Sequence, residues 1–181
     1  DLTVLADEQS FDVALQPSSL EVIDVYATPF HASVIESSLP VTVLAGDALR
    51  LAQTSTLGET LNSQVGVHST YFGGVASSPI IRGLDGPRVL VTQNGLDASD
   101  ASRVGADHVV AAETATAQQI EVLRGPATLF YGSGAIGGVV NVVDQRIPTT
   151  AETQGRFLAS TSTVNSGKHL SGAGQFAMND N

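Results

Sequence analysis

Apolar residues in the second half of the chain fall into short β-type runs punctuated by glycine. Ile120-Glu121-Val122-Leu123-Arg124 alternates as a strand does and stops at the Gly125-Pro126 break. One helical turn is predicted next, through Ala127-Thr128-Leu129-Phe130-Tyr131. Four glycines then fall within residues 132–138, and the apolar β run 139–143 follows. Glycines that dense let backbones approach closely and adopt positive φ. Further strands are predicted at 65–69, 79–82 and 88–93. The last ends at Asn94-Gly95, the strongest short turn signal in the chain. A helical turn is predicted over 114–119.

In the first half, Pro40 precedes Val41-Thr42-Val43-Leu44, which reads as a strand. A short helix is predicted over 47–52, with Asp47 near its start, and a second near 56–61, where Leu57 and Leu61 share a face. Residues 21–27 read as a short extended segment closed by Thr28-Pro29. Residues 1–20 lack periodicity and read as an acidic flexible leader that runs into Gln16-Pro17-Ser18-Ser19. The pattern describes a mixed α/β (α+β) domain over 21–148, not a run of βαβ units. Past Pro148 it changes: 155–164 and 168–178 alternate loosely around Asn165-Ser166-Gly167, as a membrane-barrel hairpin would. A complete barrel needs many more strands of about ten residues, so 149–181 is expected to hold one hairpin from a truncated barrel.

Composition changes this picture in three places. The chain contains no cysteine, which removes disulfides, thiolate metal sites and cysteine catalysis. Its net charge of −10, with only eight Lys and Arg, sets it against nucleic acid as a partner. The charge is also uneven, with eight acids and no Lys or Arg ahead of Arg50. Such a field attracts cations or a basic partner. No apolar run reaches the length of a spanning helix. The chain opens on Asp1 and its one methionine is Met178, so it reads as a processed or trimmed product.

Few motifs carry chemistry. Gly132-Ser133-Gly134-Ala135-Ile136-Gly137 fits G-x-G-x-x-G, but a dinucleotide site needs a strand before it and a helix after it. Here a helical turn precedes and a β run follows, so the glycines are assigned to packing. There is no G-x-S-x-G elbow, and His31, His68, His108 and His169 are scattered, so nucleophilic catalysis is set aside. Asp107-His108 is the best local metal candidate, because carboxylate and imidazole both ligate zinc-like cations. Asp97 and Asp100 lie just upstream, and His68 beside Tyr71-Phe72-Gly73-Gly74 is a weaker candidate ligand. A solvated polar loop is the competing reading. Arg82, Arg88 and Arg124 sit in or beside strands, where burial is costly without a partner; Glu121, Asp85 and Glu59 are available.

The stretch 120–143, with Pro79-Ile80-Ile81-Arg82-Gly83-Leu84-Asp85-Gly86-Pro87-Arg88-Val89-Leu90-Val91, closely resembles the plug domain of TonB-dependent outer-membrane receptors. The resemblance covers roughly residues 21–148. It implies a small mixed β-sheet with short helices and long loops, lying inside a barrel in the cell outer membrane and gating uptake without covalent chemistry, hence a non-enzyme. Val22-Ile23-Asp24-Val25-Tyr26-Ala27 resembles the TonB box, which docks on the TonB energy-coupling protein as an added strand, on the periplasmic side. Leu2-Thr3-Val4-Leu5-Ala6 is a weaker competitor. In this family the arginines matching Arg82 and Arg124 tie the plug to acidic groups on the barrel wall; ion pairing within the plug is the alternative. Residues 94–111 look most like the zinc-uptake subgroup, where an aspartate-histidine pair in this loop helps bind the metal. Zinc is then transported substrate, not cofactor, and barrel residues complete its site. A siderophore or haem receptor plug, and a stand-alone periplasmic metal-binding module, are the other readings.

Overall fold

The computed structural model describes residues 23–27, 40–98, 100–105, 107–144, 152–163 and 166–177. The predicted leader and Val22 lie outside them. The first strand, β1 (Val41–Ala45), runs into a two-turn helix, α1 (Gly46–Ala52), and then α2 (Leu57–Leu61). A small antiparallel pair follows, β2 (Val67–Ser69) with β3 (Pro79–Ile81), then β4 (Val89–Gln93) and β5 (Leu96–Asp97). Two longer strands, β6 (Ala117–Leu123) and β7 (Gly138–Asp144), are joined through the 3-10 helices Gly125–Tyr131 and Ser133–Ala135. The last pair is β8 (Gln154–Thr161) with β9 (Lys168–Gln175). Among the described residues no helix is long and apolar enough to cross a membrane.

The central sheet has the order β1-β6-β7-β4-β5. Only β4 and β7 run parallel; the other neighbours are antiparallel. The fold is therefore α+β with one mixed sheet, as the glycine-punctuated pattern implied. Both faces of the sheet are covered. On the helical face Ile120, Val122, Val140 and Val142 pack with Leu49, Leu57, Leu61 and Ile81. On the other, Leu123, Val139 and Leu90 pack with Val25, Ala27 and Ala135. Alternation along β6 and β7 sends successive side chains to opposite faces, so strands buried on both sides read as near-continuous apolar runs.

Two expectations need correction. The helical turn predicted at 114–119 forms only as a single hydrogen-bonded turn, with the Ala117 N–H donating to the Thr114 carbonyl at 3.2 Å, and residues 117–119 instead begin β6, because Gln119 pairs with Ala45 on one side and Val143 on the other. Pairing with two neighbours overrides a weak local preference. Glu121 was offered as an arginine partner; its side chain is engaged elsewhere, as described below. The Asn94-Gly95 turn forms as predicted, with φ of 50° and 79°, the type I′ geometry that suits a two-residue hairpin loop. The helical turn after Gly125-Pro126 is also present, in 3-10 form. The 155–178 segment pairs as a hairpin, and its two strands are largely exposed.

Candidate functional site

Residues 23–27 cross the sheet face opposite the helices. They are held there chiefly by one carboxylate. Glu121, on β6, is fully buried. Its Oε1 accepts the Tyr26 backbone N–H at 2.6 Å, and its Oε2 accepts that of Ala27 at 2.7 Å. Gln119 Nε2 donates to Oε1 at 2.6 Å and to the Asp24 carbonyl at 2.7 Å. Asn141 Nδ2, on β7, donates to Oε2 at 3.0 Å. Buried charge is tolerated only when its hydrogen bonds are met, and here four N–H donors meet them. Val25 adds a fully buried side chain beside Leu90, Leu123 and Val139.

Tyr131 closes the segment's far end, donating to the Ala27 carbonyl at 2.6 Å. Burial, together with the nearby Glu121 charge, pushes the Tyr131 phenol up from 10.0 to about 12. The unfolded chain loses that proton near 10, while the folded chain keeps it to about 12. The group therefore weakens the fold as pH rises through that window and is neutral below it. Spectrophotometric titration should show one of the three tyrosines ionising late, and Tyr131→Phe should remove that phase.

The candidate ligand loop leaves the sheet at β5. Asp97 lies within 3.8 Å of Arg103, whose guanidinium also donates to the Pro87 carbonyl at 3.3 Å. Asp107 Oδ1 sits 2.9 Å from His108 Nδ1, and both side chains are more than half exposed. Gly105 lies against them: a Cβ there would meet the imidazole at 2.5 Å, so the exposed His108 ring would have to swing aside. The His108 N–H donates to the Gly105 carbonyl at 3.1 Å, which closes the turn. His68 stands apart, on β2 opposite Ile80, and is exposed. Among the described residues no three His, Asp or Glu side chains form a metal cluster. The structure thus brings Asp107 to His108, places Asp97 against Arg103, and does not gather Asp100 or His68 into one site with them.

The arginines divide. Asp85, one of the acids available as a partner, pairs with Arg88 at 3.0 Å. Arg124 is turned inward: it donates to the Val65 carbonyl at 2.5 Å and to the Thr42 hydroxyl, while its Nε is buried without a partner. Arg82 is exposed and makes no ion pair among the described residues. It occupies a type I′ turn with Gly83, at φ 54°. A non-glycine residue there costs roughly 1 kcal/mol.

Sequence reasoning missed the Glu121–Asn141 pair. The signal was present: each is the polar residue inside an otherwise apolar β run, and the two are directly opposite in the β6–β7 register. A polar residue in a strand buried on both faces must find a buried partner.

The chain matches the family model described as TonB-dependent Receptor Plug Domain over residues 33–139. It is similar to the siderophore receptor PirA from Acinetobacter baumannii, at 26% identity over 74% of this chain and 20% of that one, with a TM-score of 0.55. It is also similar to the unliganded ferric citrate transporter FecA, at 25% identity over 76% of this chain and 22% of that one, TM-score 0.56. A ferric enterobactin receptor, PfeA from Pseudomonas aeruginosa, shares the fold at 24% identity, over 68% of this chain and 20% of that one, TM-score 0.55. The chain thus spans about a fifth of each of these solved chains.

Proposed function

The chain belongs to the TonB-dependent receptor plug domain family, and from that premise we propose that it gates an outer-membrane receptor that takes up zinc. The observation that carries the zinc reading is the Asp107–His108 pair. A carboxylate and an imidazole lie 2.9 Å apart, exposed, on a loop where neither supports the core. Both are good zinc ligands, and two ligands leave coordination positions for groups from a surrounding barrel.

The proposed sequence of events needs no covalent chemistry. The metal enters from outside and is held by the loop together with barrel residues. The coupling protein TonB pairs with the extended segment at 22–27 from the periplasmic side and pulls. The plug shifts or partly unfolds, and a path opens. Arg82 supports a contact with an acidic barrel wall, because it is exposed at the corner of a two-residue turn and makes no ion pair among the described residues. Arg124 supports that role less, since both of its Nη atoms already donate within the plug.

The test is zinc binding by the full receptor, with and without the double change Asp107→Ala and His108→Ala. Loss of two ligands should weaken affinity at least tenfold, since disturbing even the supporting groups of a metal site costs 10- to 100-fold. Unchanged zinc affinity would sink the assignment. A second reading, a ferric chelate as cargo, draws on the siderophore, ferric enterobactin and ferric citrate receptors that share the fold. Tight ferric-chelate binding by the double variant would establish it.

A further inference from the structure

One register row crosses the whole sheet. Val43 on β1 lies opposite Glu121 on β6, Glu121 opposite Asn141 on β7, Asn141 opposite Thr92 on β4, and Thr92 opposite Asp97 on β5. The middle of the row is a chain of buried hydrogen bonds. Glu121 holds the 24–27 segment at one end. Asn141 donates to Glu121 Oε2 at 3.0 Å, while its own Oδ1 accepts from Thr92 Oγ1 at 2.8 Å and from the Gly95 N–H at 3.0 Å. Gly95 is the second residue of the turn from which the 96–110 loop departs. Glu121 and Asn141 are fully buried, and Thr92 is 1% exposed. Asn141 thus contacts Glu121 with one side of its amide and the loop's anchoring turn with the other.

We propose that Glu121 and Asn141 are positioning residues that tie the coupling segment to the base of the ligand loop. A shift of the 94–95 turn withdraws the Gly95 donor and rotates the Asn141 amide. That rotation takes a donor from Glu121, the carboxylate holding Tyr26 and Ala27. The same route works in reverse when the segment is pulled. Buried networks of this kind respond as units, because an unmet group in a low-dielectric site costs more than the bond it lost. The inference rests on the proposed roles of 22–27 and of the loop. Its test reads the chain's own structure, so a failed transport assay would leave it standing.

The chain has no native cysteine, so Tyr26→Cys gives a unique site for a spin label at an exposed position. The second readout is hydrogen exchange at the Gly95 amide. Each end is perturbed and the opposite end read. Glu121→Gln sets a donor against a donor and should speed exchange at Gly95 about tenfold, the worth of one hydrogen bond. Asn141→Ala should mobilise the label at position 26. If either variant fails to fold, Thr92→Val decides, since it removes one hydroxyl while keeping the strand; it should move both readouts in the same direction by less. Changes confined to the near end in each variant would overturn the proposal and leave two independent local contacts.

Discussion

Val25→Pro should reduce energised uptake by the full receptor to background while cargo binding persists. Strand addition to a coupling protein needs a backbone N–H at each paired position, and proline has none. Proline also biases the preceding Asp24 conformation and cannot fill the buried place that Val25 takes beside Leu123 and Val139. Asp107 and His108 stand on an exposed loop that Val25 does not touch, so cargo binding is retained even where the turn at the loop's base is loosened. Parallel uptake and binding assays on the same cells check both halves. Normal uptake would move the coupling segment away from 22–27, with residues 2–6 as the next candidate.

Gly138→Val should be the most damaging single change to the fold. A Cβ at that position would lie 2.7 Å from Ile81 Cδ1 and 2.9 Å from the Leu123 carbonyl oxygen. The second contact is backbone in the neighbouring strand, so no side-chain rotation relieves it. Overpacking of this kind costs about 3 kcal/mol. For a chain of this size that lowers the melting temperature by roughly 10 °C. Thermal unfolding by circular dichroism measures it, and a shift of only a degree or two would show that β3, β6 and β7 are less tightly packed than described.

Much of this fold was legible from residue pattern. The Asn94-Gly95 turn, the break at Gly125-Pro126 and the paired leucines of α2 are local signals, and each element formed where its own residues specified. The glycines at 132–138 read as packing residues, and Gly138 serves close packing between strands. The start of β6 was not legible, because Ala117, Gln118 and Gln119 have no marked strand preference; Ala117 is placed by β7, Gln119 by β1 and β7, and Gln118 falls in the irregularity between them. The candidate site divides in the same way. Asp107 and His108 are neighbours in sequence, so their contact could be anticipated. The hold on 23–27 could not, since its members are spread from Asp24 to Asn141 and meet only through the register of the sheet.

That spread dictates an order of assembly. The bonds from Glu121 to Tyr26 and Ala27 join residues 95 and 94 positions apart, and the Tyr131–Ala27 bond spans 104. Closing so long a loop is slow and yields nothing until the receiving surface exists. The β6–β7 pair, by contrast, closes over a short connection and forms early. The segment at 23–27 is then the last piece to dock, although it precedes the sheet in the chain. Its amides wait on water until residue 141 has been made and paired, so the segment becomes seated only on a domain whose sheet is already complete.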